Sequence, residues 1–287
     1  MNVLQILQTN FVFLLSCVGL LGLLMGSFLN VVISRLPIML EKQWTHDCQQ
    51  HLNGLSTATS GPIFNLVTPR SHCPYCHHEI TWIENIPILS YVILGGKCRA
   101  CKTPISIQYP LTEACTALLS IACAYDYGAT PQTIVALVLI WGLIALAAID
   151  FKTSLLPDNL TLPLLWLGLI CNSFELFCSL QDSLYGAVFG YLSLWSIFQL
   201  FKLATGKEGM GYGDFKLLAL LGAWLGWSFL IPIIFISSIV GSVIGISLIL
   251  SQRLAANTSI PFGPYLVFAG LICLLMGNHV KSLFNII

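Results

Sequence analysis

The chain of 287 residues is 56% hydrophobic and only 8% charged, with 12 Lys and Arg against 12 Asp and Glu. An ordinary soluble domain carries about 25% charged residues, so that class is excluded, and a mean hydropathy of +0.85 points to a membrane protein. Zero net charge leaves no basic footprint for nucleic acid.

Apolar stretches near the roughly 20 residues that cross a bilayer recur at 10–33, 105–125, 131–149, 160–178, 183–203, 215–230, 231–250 and 262–285. They predict an all-α polytopic protein of about eight transmembrane helices. The segments 215–230 and 231–250 are separated only by Trp227, Ser228 and Pro232. No Lys or Arg precedes the first apolar run, and that run outlasts a signal h-region, so a cleavable signal peptide is not expected. The soluble-like stretch 34–104 interrupts the pattern. The expected organisation is a first helix at 1–33, a small cytoplasmic block at 34–104 and a seven-helix membrane domain at 105–287.

The cations set the expected orientation. Arg35, Lys42, Arg70, Lys97, Arg99 and Lys102 fall between the first and second helices. Lys152, Lys202, Lys207, Lys216 and Arg253 fall at ends on the same side, and only Lys281 falls opposite. This positive-inside bias puts the amino terminus outside and the 34–104 block in the cytoplasm.

The block carries Cys73-Pro-Tyr-Cys76 and Cys98-Arg-Ala-Cys101, with 21 residues between the pairs. Two C-x-x-C pairs at such a separation read as a four-thiolate zinc site, each pair a tight knuckle, with Gly95 and Gly96 suited to the turn before the second. A block of about 70 residues can hardly stabilise itself by core burial alone, so a metal staple makes physical sense. Two disulfides are the competing reading, disfavoured in a reducing cytoplasm. His72, His77 and His78 flank the first knuckle and are expected as solvated side chains. The other cysteines of the spans read as small apolar filler.

Two carboxylates at membrane depth read as functional. Asp150 closes the apolar run Trp141 to Ile149. Asp214 lies in Gly209-Met-Gly211-Tyr-Gly213-Asp214-Phe-Lys216, at the lip of the next apolar segment. A carboxylate pair sharing a site holds one proton near neutral pH, the equipment of an aspartyl protease. Gly209, Gly211 and Gly213 are expected to let backbone approach closely and turn sharply. A phosphate cradle is disfavoured, since no Gly-Lys-Ser or Gly-Lys-Thr follows. Lys216 either snorkels to the interface or holds down the charge of the dyad. Asp158, in Leu156-Pro157-Asp158-Asn159, is a ready N-cap for the next helix, with a supporting active-site role as the alternative. Glu113, inside the second span, needs a partner, and Lys102 and Tyr109 are the candidates. Pro261-Phe-Gly263-Pro264 opens the last span, where Pro in a first turn is ordinary.

Taken together, Gly26-Ser-Phe-Leu-Asn30 running on to Arg35-Leu-Pro37, the paired C-x-x-C block, Ile149-Asp150 followed by Leu156-Pro157-Asp158, the Gly-x-Gly-x-Gly-Asp-x-Lys run and Pro261 to Pro264 resemble the type IV prepilin peptidases, over roughly 20–270. The resemblance implies a bifunctional leader peptidase and N-methyltransferase of the bacterial inner membrane, acting on prepilin and pseudopilin precursors. It carries catalytic roles onto Asp150 and Asp214 and zinc ligation onto Cys73, Cys76, Cys98 and Cys101. It also implies S-adenosyl-L-methionine as methyl donor, with no pocket assigned. Another intramembrane aspartyl protease with a Gly-Asp motif is the alternative, disfavoured by the cysteine block. A proton-coupled transporter would place acids deeper in the spans and show internal repeats, which are not evident.

Overall fold

The computed structural model describes residues 3–53, 64–207, 209–251 and 260–285. Arg253, counted above among the orienting cations, lies outside them. The chain forms two compact units, Met1–Ala129 and Thr130–Ile287. Among the described residues there are eleven α-helices and no strand, only the isolated bridges His72 to Glu79 and Lys97 to Pro104.

The first unit holds α1 (Val3–Thr9), α2 (Phe11–Asn53), α3 (Leu89–Ile93) and α4 (Gln108–Tyr127). Helix α2 runs unbroken through Pro37 for 43 residues, well past position 33. It meets α4 through glycine. A Cβ on Gly26 would stand 2.6 Å from Glu113 Cα, and one on Gly22 2.8 Å from Ala117 Cα. Small residues let two helix backbones close to this distance. The polar residues of the same motif then tie α2 to α4 and to the stretch around Asn65 and Pro69. Asn30 Nδ2 donates to the Tyr109 carbonyl at 3.1 Å, and the buried Arg35 donates to the carbonyls of Asn65 and Pro69 at 2.9 and 2.6 Å. The buried carboxylate of Glu113 accepts the backbone N–H of Ile88 at 2.7 Å and interacts with the Ser27 hydroxyl. Its partners are therefore these groups, in place of the Lys102 or Tyr109 expected from sequence.

The second unit holds α5 (Pro131–Thr153), α6 (Asp158–Asn172), α7 (Leu180–Thr205), α8 (Tyr212–Leu225), α9 (Leu230–Leu250), α10 (Gly263–Leu275) and α11 (Gly277–Leu283). Helix α8 is its core. From Asp214 to Leu225 every residue but Lys216 is buried, as befits a helix apolar on all sides. Helices α6, α7 and α10 pack around it. The approach of α7 is backbone on backbone. A Cβ on Gly186 or on Gly222 would run into the carbonyl of the other, and one on Gly190 would stand 2.8 Å from the Leu218 carbonyl oxygen. The far end of α8 is held by side chains. Asn172 Nδ2 donates to the carbonyls of Ala223 and Trp224 at 2.9 and 3.1 Å, the Ser183 hydroxyl donates to the Ala223 carbonyl, and Trp224 Nε1 donates to the Leu164 carbonyl at 2.8 Å. The last carbonyls of a helix need partners when water is absent, and these side chains supply them.

The expectation of eight spans is not met in full. Among the described residues four helices are long and apolar enough to cross a membrane, Phe11–Leu52, Pro131–Thr153, Leu180–Thr205 and Trp227–Leu250, and a fifth only if α10 and α11, bent by 99°, count as one. With 15 and 14 residues, α6 and α8 rise only about 22 Å each, short of the roughly 30 Å hydrocarbon layer. Gly226, at φ 87°, stops α8 several residues before the boundary expected near position 230. An apolar run seen in sequence does not distinguish a lipid-crossing helix from a protein-buried one.

Candidate active site

Four helix ends converge in the second unit. Asp150 lies in the last turn of α5, Asp158 opens α6, Asp214 lies in the first turn of α8, and Gly263 opens α10. Asp150 and Asp214 are both buried, 4% and 7% exposed, and the charge of Asp150 reaches Asp214. The two carboxylates predicted to act as a pair are thus brought together from helices 64 residues apart in sequence (214 − 150). Among the described residues, Asp150 Oδ2 has no hydrogen-bond partner. A buried carboxylate oxygen left open in this way can take a water or a substrate amide.

The connection after α5 shapes the site. Ser154 takes the left-handed conformation, φ 53°, and returns its N–H to the Asp150 carbonyl at 2.8 Å. The chain then folds Leu156 back over the dyad. A Cβ on Gly213 would stand 2.8 Å from Leu156 Cβ, and one on Gly263 would stand 2.5 Å from Asp150 Oδ2 and 3.4 Å from Leu156 Cδ1. Leu156 therefore lies against the glycine beside each aspartate. Gly263 also explains the late Pro-Phe-Gly-Pro motif. Pro264 sits in the first turn of α10 as expected, but the glycine before it is the neighbour that Asp150 requires.

The glycine run divides by role. Gly209 faces Phe201, where a Cβ would stand 2.8 Å from the ring, and Gly213 faces Leu156. Gly211 is the N-cap of α8 in extended conformation, φ −80°, with nothing within 4 Å of a Cβ. None of the three adopts positive φ. Close approach thus explains two of them, and the sharp turns expected from the run are made elsewhere. A hollow of about 220 Å³, lined by Ile197, Phe198, Phe201, Gly209 and Met210, lies alongside.

The N-cap expected at Asp158 is corrected by the structure. Pro157, not Asp158, is the N-cap of α6. Lys216 has a partner that the sequence did not announce: its Nζ lies 2.7 and 2.8 Å from the two carboxylate oxygens of Asp158.

The cysteines form a separate site in the first unit. The Sγ atoms of Cys73, Cys76, Cys98 and Cys101 all lie within 4.8 Å of one another and could hold a metal ion. Cys73 and Cys101 are 3.8 Å apart, and Cys76 and Cys98 3.9 Å. Four sulfurs about 2.3 Å from one tetrahedral ion stand at such separations, whereas disulfide sulfurs are about 2.05 Å apart. The two knuckles repeat the same fold. In each, the first cysteine donates its N–H to a carbonyl five residues on (His78, Thr103), and its own carbonyl accepts the N–H four residues on (His77, Lys102). His77 and Lys102 take positive φ, 56° and 60°, as do Gly95 and Gly96 just before the second knuckle. Glu84 ties the knuckles to one another, accepting from the Thr81 amide and hydroxyl and pairing with His78 at 3.4 Å and Arg99 at 3.9 Å. His78 is thus a polar partner of Glu84.

Local hydrogen bonds bias the thiols. The Thr103 hydroxyl and then its amide pull the Cys101 thiol down to about 6, and the amides of Cys76 and Tyr75 lower Cys73. Cys76 is pushed up to about 11, because burial and the neighbouring sulfurs outweigh the lowering by the His78 amide. Thiolates crowded in this way hold their charge together only when a cation shares it.

Residues 20–127 match the bacterial Peptidase A24 N-terminal domain, and residues 137–246 match the type IV leader peptidase family. The chain is 56% identical over 264 residues to a prepilin leader peptidase/N-methyltransferase of Pseudomonas aeruginosa, covering 92% of this chain and 91% of that one. It is 52% identical over 282 residues to the protein of the same name from Stutzerimonas stutzeri, covering 98% and 97%, and 54% identical over 265 residues to that of Aeromonas hydrophila, covering 92% and 91%. No solved structure matches. With its two cysteine knuckles, its paired aspartates and relatives of this identity over nearly its whole length, the chain belongs to the type IV leader peptidase family.

Proposed function

We propose that this protein is a bifunctional membrane enzyme that removes the leader peptide of prepilin and pseudopilin precursors and then N-methylates the new amino terminus. The observation that supports the peptidase half is the meeting of Asp150 and Asp214, two buried carboxylates close enough for the charge of Asp150 to reach Asp214. Such a pair activates a water that adds to the scissile carbonyl after a Gly. One carboxyl takes the proton from water while the other hydrogen-bonds the carbonyl oxygen, and a proton then passes to the departing amide nitrogen. A coupled pair titrates as a unit, so the roles belong to the pair.

The reading extends to setting. The exposed apolar side chains of α9, among them Ile231, Phe235, Val243 and Leu250, suit a lipid bilayer, and the enzyme is read as an inner-membrane protein. The Lys and Arg bias supports a cytoplasmic face for the dyad and for the cysteine knuckles. There the leader of a precursor whose apolar helix remains in the membrane would meet the dyad. Cys73, Cys76, Cys98 and Cys101 would hold zinc as a structural ion, which supplies folding free energy to the knuckles. S-adenosyl-L-methionine supplies the methyl group for the second reaction, and the chain must hold a neutral amine in line with it.

Mass spectrometry of a precursor pilin co-expressed with the protein tests both halves. Loss of the leader together with the mass of one added methyl group is the expected result. An intact precursor ends the peptidase reading, and a cleaved product that never gains a methyl group ends the other.

A further inference from the structure

We propose that the Asp158–Lys216 ion pair is a strap that positions the aspartate dyad, with Lys216 and Asp158 as positioning residues that touch neither substrate nor reacting atoms. The inference rests on the dyad reading above. Its starting point is a coincidence of three contacts along one short connection. At its beginning, the Ser154 N–H is bonded to the Asp150 carbonyl. In its middle, Leu156 fills the space against Gly213 and Gly263, the neighbours of Asp214 and Asp150. At its end, Asp158 grips Lys216 with both carboxylate oxygens, at 2.7 and 2.8 Å.

Lys216 lies two residues beyond Asp214 on the first turn of α8, and it is the only residue from Asp214 to Leu225 that is not buried. The pair thus ties the start of α6 to the start of α8 across 58 residues of sequence. The connection is short. Four residues, Ser154 to Pro157, separate α5 from α6, so fixing Asp158 also fixes where Leu156 can stand. An ion pair exposed at 32% and 50% adds little to stability. Its consequence is geometric: without it the end of the connection is free of α8, Leu156 loses its register over the two glycines, and the carboxylates drift from their mutual distance. Misplacement of about 1 Å at a reacting centre is costly in rate, so the loss is expected in kcat.

The test uses the purified full-length protein in lipid nanodiscs and a precursor pilin as substrate. The set comprises Asp158→Asn, Lys216→Met, the double variant, and Asp158→Glu and Lys216→Arg, which keep the charges. Each uncharged single variant is expected to lower kcat about tenfold, with KM within about twofold of the parent, as expected for lost positioning. The double variant is expected to be no slower than the slower single, because both remove one interaction, and the charge-keeping variants should keep most of the activity. Thermal midpoints should stay near the parent value, which separates positioning from unfolding. Where an uncharged variant does not survive purification, the charge-keeping variants decide, and loss of activity in both would overturn the proposal. Parental kcat in Asp158→Asn or Lys216→Met would also overturn it, as would losses that multiply in the double variant. Loss confined to Lys216→Met would overturn it too, since that lysine would then act on the reaction directly. Asp150→Asn and Asp214→Asn serve as controls: activity in those variants removes the dyad reading, whereas inactive controls beside fully active strap variants remove the strap alone.

Discussion

Gly263 stands against the carboxylate of Asp150 so closely that a Cβ on it would lie 2.5 Å from Oδ2. The atom it would strike is part of the proposed chemistry and is buried, so neither side can give way cheaply. Gly263→Ala should therefore lower peptidase kcat by about a hundredfold, the cost of moving a reacting group by about 1 Å. Gly211→Ala, at a position where a Cβ meets nothing within 4 Å, should stay within about threefold in kcat, since Ala is a poorer N-cap than Gly and its cost falls on helix stability rather than on the reacting groups. Equal losses in the two variants would show that the glycines act through loop flexibility rather than through space.

Removing one carboxyl of the dyad should abolish leader removal. In Asp150→Asn or Asp214→Asn, the remaining group cannot both take the proton of water and hydrogen-bond the carbonyl. Membrane level of the protein should hardly change, because an amide of the same size replaces each acid. Cleavage at the parental rate by either purified variant would remove these two residues from the mechanism.

The cysteine cluster should contain about one zinc per chain, measured by elemental analysis of the purified protein, as four thiolates complete a tetrahedral structural site. Cys73→Ser or Cys101→Ser should lower that content, and chelation should expose the 64–104 stretch to protease, because binding energy of the ion is folding energy of the knuckles. Disulfides linking these four cysteines in the native protein would contradict both the ion and the reducing side of the membrane.

Helices α7 and α8 touch where Gly186 meets Gly222. Gly186→Ala should destabilise the second unit by about 1–3 kcal/mol, the usual cost of forcing a methyl group into a filled contact. It should do so without changing KM, since neither glycine lies near the dyad in the chain. Asn172→Ala should cost a similar amount by leaving the Ala223 and Trp224 carbonyls short of a donor in a buried setting. Thermal denaturation in detergent reads both; a parental midpoint for Gly186→Ala would mean that the two helices are less tightly packed than described.

Cysteine labelling on a cysteine-depleted background that keeps the four knuckle cysteines should find position 154 accessible from the cytoplasm, and positions 128 and 180 accessible from outside, in keeping with the cation bias. Position 154 accessible only from outside would place the dyad on the wrong side for a cytoplasmic leader.

Much of this site was legible in the residues because its chemistry is local in sequence. Two C-x-x-C pairs specify their own knuckles: the carbonyl and amide partners of Cys73 and Cys98 lie within five residues of each. An acid ending an apolar run announces itself by its desolvation cost, so Asp150 and Asp214 stood out singly, and apolar composition alone made the protein helical and membranous. Tertiary structure decided what depends on meetings across long sequence separations. No pattern near Lys216 says that its partner is Asp158, because a cation of that length pairs with whichever acid the fold brings within reach. Nothing in Pro261 to Pro264 says that Gly263 will face Asp150. Periodicity likewise could not tell α8, buried among other helices, from a helix that meets lipid: both are apolar on every side, and only the packing of α6, α7 and α10 around it separates one from the other.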